Sequence, residues 1–187
     1  MFITVATLFN GLLFFVGKLP GNPFLNMFYA SVIDIFAYLS AYVITKKFGR
    51  RTILCGSFAV STLSLGVCVP MILTNTGVGY TRWLAFMAKI GGTFIYQVVY
   101  LLAAELFPTP IRSMALSLCM AFGTLGGFVS PFITELNPSW APYATFGSIA
   151  LVGSILSILI PETKGIGLME TIDEAIAFHQ KAYSIHD

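Results

Sequence analysis

KKFGRR, Lys46 to Arg51, stands between two long apolar runs, 23–45 and 52–73. In a chain that is 57% hydrophobic and only 10% charged, such a basic cluster belongs where apolar sequence gives way to water. Moving outward, AELFPTPIR at 104–112 follows the fourth apolar run and PETKG at 161–165 follows the sixth. Charge gathers at every second junction, and a chain that crosses a membrane repeatedly returns to the same face at every second junction. The runs, read as 1–17, 23–45, 52–73, 82–104, 112–134 and 141–160, are each roughly 17 to 24 residues. At about 1.5 Å rise per residue these match the ~30 Å hydrocarbon core of a bilayer. The expected fold is an all-α membrane protein with six transmembrane helices.

Composition leads independently to the same class. A soluble domain carries about 25% charged residues, whereas the mean hydropathy here is +0.85. The net charge of +2 comes from the loops, so it argues for membrane orientation and against a nucleic-acid partner. One face carries Lys46, Lys47, Arg50, Arg51, Arg112 and Lys164, and the other Lys18 and Arg82. By the positive-inside rule the richer face is cytoplasmic, which puts both termini there. Trp83 and Trp140 fall at the opposite boundary, in the headgroup zone that amphipathic rings favour.

An apolar amino terminus can also be a secretory signal peptide, but this one lacks a basic leading region. We read it as a helix whose upstream sequence is missing, and the chain as part of a larger protein. Residues 1–164 are then the membrane region and 165–187 a cytoplasmic tail. In the tail, Leu168, Ile172, Ala175, Ile176 and His179 share a helical stripe opposite Glu170, Asp173 and Glu174. This describes an amphipathic helix docked on the basic loops, with a frayed tail as the alternative.

Several chemistries are excluded. The spans hold no histidine and one interior carboxylate, too little for an intramembrane hydrolase. No phosphate-binding GxxxxGK[ST] loop is present, so the chain is read as neither an enzyme nor an ATP-driven pump. Cys55, Cys68 and Cys119 stand singly in apolar sequence, without metal-site or disulfide spacing. No cofactor is expected. Gly123 and Gly127, with Gly126 beside them, and Gly91 with Gly92 predict close helix packing. Pro70 and Pro131 are hinges or tolerated kinks.

FGRR at 48–51, AELFPTPIR at 104–112 and PETKG at 161–165, at these intervals, resemble the carboxyl-terminal half of an organic ion (organic cation/anion) transporter of the major facilitator superfamily. Lys46 stands where that family's loop motif usually has an aspartate. The resemblance implies a fold of twelve helices in two six-helix halves, the amino-terminal six-helix half being absent here. It also implies a small organic solute bound between the halves near the midplane, alternating access, and a plasma-membrane location. Another major facilitator carrier, for sugars for example, and a six-span channel or accessory protein are the alternatives.

Charge inside a span needs a partner or a wet cavity. Asp34 and Lys89 lie at depths that allow them to meet, either as a structural intramembrane ion pair or with Asp34 contacting solute; Lys89 snorkelling outward is a third reading. Similarity to the family places Phe9, Asn10, Tyr38, Tyr96, Gln97 and Thr124 at positions lining the solute cavity. In members that carry cations the positions matching Gln97 and Thr124 tend to be acidic, and in those that carry anions the positions matching Tyr38 and Thr124 tend to be basic. This chain has neither set, which favours weakly basic, zwitterionic or neutral solutes. Arg50, Arg51, Glu105, Arg112 and Glu162 share one face and are expected to form a cytoplasmic gating network.

Overall fold

The structure, a computed structural model, describes residues 1–19, 21–74 and 78–159. Its elements are α1 (Phe2–Val16), α2 (Pro23–Lys47), α3 (Arg50–Leu73), α4 (Val78–Leu106), α5 (Thr109–Thr134) and α6 (Ala141–Ile158). Strands do not occur among the described residues. Five of the helices, α2 to α6, are long and apolar enough to cross a membrane, while α1, at 15 residues, is shorter. Together they form a multi-pass membrane bundle. The expected tail helix and Glu162 lie outside the described residues.

Helices α2 to α5 overrun their apolar runs at one end or both, while α1 and α6 stay within theirs. α4 begins at Val78 rather than 82, and α5 at Thr109 rather than 112. Hydropathy marks where hydrocarbon ends, but backbone hydrogen bonding continues into the headgroup zone, where Tyr80, Arg82 and Trp83 of α4 still serve. α2 starts sharply because the Asn22 side chain accepts from the Phe24 amide at 3.0 Å with Pro23 in the first turn, a favourable opening for a helix. The turn before it needs Gly21, whose φ of +119° is closed to most side chains.

α1 and α4 form the centre. α1 packs on α5, α4 and α6; α3 packs on α4 and α6; α2 leans mainly on α4. Of the apolar window of α4, 56% is buried, against 17% for α2 and for α5. Those two helices therefore turn broad apolar faces outward, as Phe24, Phe36, Phe128 and Phe132 do.

Glycines decide how closely the central helices approach. A Cβ on Gly126 would lie 2.4 Å from the Ile3 carbonyl oxygen, whereas one on Gly123 would meet Ala6 at an ordinary 3.6 Å. So the α1–α5 seam is tightest at Gly126, beside the Gly123 and Gly127 pair that the small-xxx-small spacing brings forward. Gly91 likewise abuts Ser61 of α3, and Gly92 abuts Leu12 of α1. Two further seats were not legible in the sequence: Gly11 receives the Phe146 ring and Gly153 the Phe58 ring.

Pro131 lies inside α5 and cannot donate to the carbonyl of Gly127, four residues back. The Ser130 hydroxyl donates to that carbonyl instead, at 2.7 Å. This repair is one way a proline is accommodated in a membrane helix.

Candidate functional site

Halfway along α4 a polar stripe interrupts the apolar surface. Lys89, Thr93, Tyr96, Gln97 and Tyr100 recur at helical spacing, so their side chains share one face. Lys89 is fully buried, and its Nζ lies 3.1 Å from Oδ2 of Asp34 on α2. That contact is close enough for an ion pair, though out of line for a full hydrogen bond. On its other side the ammonium sits 4.2 Å from the centroid of the Phe9 ring, a cation–π contact from α1. The second carboxylate oxygen of Asp34 accepts from the Thr93 hydroxyl at 2.6 Å. Three helices thus meet at one charge pair, which is how buried charge is tolerated in hydrocarbon.

Toward the basic end of the bundle the stripe becomes aromatic. Phe9 stacks on Tyr96 with centroids 4.4 Å apart, Tyr96 donates to the Tyr100 hydroxyl at 3.2 Å, and Phe2 meets Tyr100 edge-on at 5.5 Å. Gln97, one residue from Tyr96, keeps its side-chain oxygen buried without a hydrogen-bond partner. A buried acceptor left open is uncommon. Asn10 donates to its own helix at Ala6 and lies beside Gly127 of α5. Tyr38, one turn from Asp34, is exposed, as is Thr124, whose hydroxyl donates to the Ala121 carbonyl at 2.6 Å.

Charges also tie the two ends of the bundle. At the basic end Arg50 grips Glu105 twice, through Nη2 at 2.7 Å and Nε at 3.2 Å. Arg51 donates to the Ile158 carbonyl at the end of α6, and Arg112 to the Phe107 carbonyl. A guanidinium at the carboxyl end of α6 also opposes that helix's dipole favourably. At the other end Lys18 pairs with the Glu135 carboxylate and donates to the Thr134 carbonyl at 3.2 Å, closing the end of α5 in the same way.

The family model described as "Sugar (and other) transporter" matches residues 15–175, most of the chain. The chain belongs to this transporter family. Solute carrier family 22 member 1 of Sus scrofa is 33% identical over 97% of this chain, which covers 33% of that protein. The organic cation transporter-like protein of Drosophila melanogaster is 32% identical over 96% of this chain and 32% of its own length. The resemblance read from FGRR, AELFPTPIR and PETKG therefore holds. Among solved structures, the inward-open xylose transporter XylE from E. coli superposes with a TM-score of 0.69 over 95% of this chain and 41% of that one, at 20% identity. That likeness speaks for the fold alone. The chain spans about a third of the length of the curated relatives it matches.

Within this transporter-family bundle, Phe9, Asp34, Lys89 and Tyr96 come together, with Gln97 adjoining and Asn10 one position from Phe9. Tyr38 lies a turn away, and Thr124 lies on α5, on the exposed flank of its seam with α1. Of the residues expected at the charged face, Arg50 and Glu105 join directly, while Arg51 and Arg112 bind helix-end carbonyls. Thr93, Tyr100 and Phe2 complete the cluster and were missed. The spacing from Lys89 along α4 is the signal that could have found Thr93 and Tyr100.

Proposed function

We propose that this chain is the carboxyl-terminal half of a twelve-helix carrier that moves small organic solutes across a membrane by alternating access. The solute is held between the halves against the α1, α2 and α4 cluster. The observation that carries this reading is the buried Gln97 oxygen without a partner, set beside the Phe9 and Tyr96 stack: an acceptor and aromatic faces at mid-bundle, next to a charge pair already neutralised internally. An organic ammonium or a neutral donor gains from that combination, at about 0.5 to 2 kcal/mol for each ring it lies against. A solute of full negative charge loses hydration without a free counter-charge. The names of the solute carrier family 22 relatives and of the organic cation transporter-like protein favour organic solutes of this kind. The basic end is taken as cytoplasmic, with both termini there, and the membrane as the plasma membrane.

The test is uptake into proteoliposomes. The chain joined to a matching amino-terminal half is expected to give saturable uptake, and the chain alone none. A panel of matched cationic, zwitterionic, neutral and anionic competitors should rank weakly basic and zwitterionic solutes first. With Thr124 facing solute, Thr124→Asp shifts the ranking toward cations and Thr124→Arg toward anions, each by the order of a close charge pair partly screened by water. Robust saturable transport by the chain alone would overturn the half-carrier reading. An unchanged ranking in both variants would make Thr124 a packing residue.

The Arg50 to Glu105 pair supports a latch at the basic end that stabilises one gating state and must rearrange in the other. Glu105→Gln keeps the shape and removes the charge. In the complete carrier it should lower the maximal rate several-fold with surface amount and half-saturation little changed. A wild-type rate at wild-type surface amount would remove Glu105 from the gating cycle.

A further inference from the structure

The way Lys89 is held does not match a simple structural bridge. A lysine that ties helices together commonly aims its three N–H donors at acceptors. The Lys89 ammonium is fully buried and yet has no hydrogen-bond partner. It rests between the Asp34 carboxylate, 3.1 Å away, and the Phe9 ring, 4.2 Å from the centroid. Neither contact requires an N–H: one is charge on charge, the other charge on an aromatic ring. Those are contacts by which proteins hold organic ammonium ions, quaternary ones included.

Nor do the receiving groups depend on Lys89 for their place. The Thr93 hydroxyl fixes the other carboxylate oxygen of Asp34 at 2.6 Å, and Phe9 is fixed by its stack on Tyr96, with centroids 4.4 Å apart. Carboxylate, hydroxyl and ring are set by three helices, whereas the ammonium arrives on a flexible four-carbon stem. Asp34 is 16% exposed while Lys89 is 0% exposed, so the carboxylate keeps an opening that the lysine does not need. Resting on the reading of this chain as half of a solute carrier, we propose that Asp34, Thr93 and Phe9 form an organic-ammonium site and that Lys89 is its tethered occupant. A free cation gains the carboxylate only while the lysine side chain is away. Its apparent affinity falls in proportion to the fraction of carriers with the site vacant, and the tether keeps that fraction small by holding the competing ammonium at high effective concentration. Lys89 thereby sets selectivity: with it in place the interior carboxylate does not draw strong cations, and without it the same three groups do.

Beyond Cβ, the atoms lost in Lys89→Ala are those of n-propylammonium. The experiment measures the melting temperature of the complete carrier, purified throughout in n-propylammonium, tetramethylammonium, n-propanol or propanesulfonate at constant ionic strength. Both ammonium ions should raise the melting temperature of Lys89→Ala saturably, most of the way to the parent level, and the alcohol and the sulfonate should leave it unchanged. The parent carrier should need about tenfold more of either ion for the same occupancy, because its site is already filled. Adding Asp34→Asn should abolish the response. An equal effect of propanol would mean that a cavity is being filled, and a response that survives Asp34→Asn would place the ion elsewhere; either overturns the proposal, as does a parent that responds at the same concentration. On the unaltered carrier, tetramethylammonium should raise the reductive methylation of Lys89 several-fold as the side chain is displaced. No rise overturns the proposal whether or not the variant folds. None of these readouts needs transport: a carrier that moves solute but shows no ammonium response sinks this proposal alone, and one that responds but moves nothing sinks the carrier reading alone.

Discussion

Lys89→Met is expected to lower the yield of folded protein by tenfold or more, and Asp34→Asn to lower it further. Each change leaves the other charge of a buried pair uncompensated, which costs about 3 to 5 kcal/mol. The ordering follows from burial: the Lys89 side chain is 0% exposed and Asp34 is 16% exposed. Asp34 left alone keeps the Thr93 hydroxyl and some access to the surface. Lys89 left alone keeps only the Phe9 face, and a cation–π contact of about 2 kcal/mol does not replace a counter-ion. The double variant, Asp34→Asn with Lys89→Met, removes both charges and should recover most of the yield. Monodisperse protein from detergent extracts and its melting temperature are the readouts. If either single change leaves yield and melting at the parent level, the two charges do not hold each other in the membrane. In the complete carrier, a double variant that folds and still transports makes the pair structural; one that folds and does not transport means that the pair also serves the solute.

That pair was legible as one of three readings because charge in an apolar span is rare, and the depths of Asp34 and Lys89 allow them to meet. Which side chains surround it was not. Thr93 and Tyr100 look like ordinary helix packers until the α4 stripe is drawn around Lys89, because neutral polar residues carry little penalty in a span and so little signal. Alternating basic junctions gave the span order, yet helix ends are set by backbone hydrogen bonding and caps such as Asn22, which hydropathy does not register. At the basic end the sequence puts Arg50, Arg51 and Glu105 on one face. Which arginine reaches Glu105 depends on where α3 lies against α4, and that position follows from Gly91 meeting Ser61. The glycine seats of Phe58 and Phe146 show the same limit: a ring and the gap that takes it are far apart in the chain, with no local pattern joining them.

Gly126→Leu is expected to be the most damaging single change in the small-residue face of α5. Its Cβ would lie 2.4 Å from the Ile3 carbonyl oxygen, 2.5 Å from the Thr7 hydroxyl and 3.1 Å from the Thr7 amide. Two of those three atoms are backbone, and the Thr7 hydroxyl is tied to Ile3 at 2.7 Å, so nothing can swing aside. The helices must separate along the whole seam. Overpacking of this kind costs about 1 to 3 kcal/mol and more where the backbone has to move. Gly123→Ala meets Ala6 at 3.6 Å and should be mild, and Gly127→Ala meets the Asn10 amide at 3.2 Å and should fall between. Melting temperatures of the three alanine variants should therefore rank Gly126 lowest, with Gly126→Leu lower still. The effect extends beyond stability, since α1 carries Phe9 and Asn10 to the cluster: displacing α1 shifts the Phe9 ring from its 4.4 Å stack on Tyr96. In the complete carrier, any Gly126→Ala protein that folds should accordingly lose transport out of proportion to its surface amount. Should Gly126→Ala melt with Gly123→Ala and transport at the parent rate, α1 and α5 are further apart in the membrane than this seam places them.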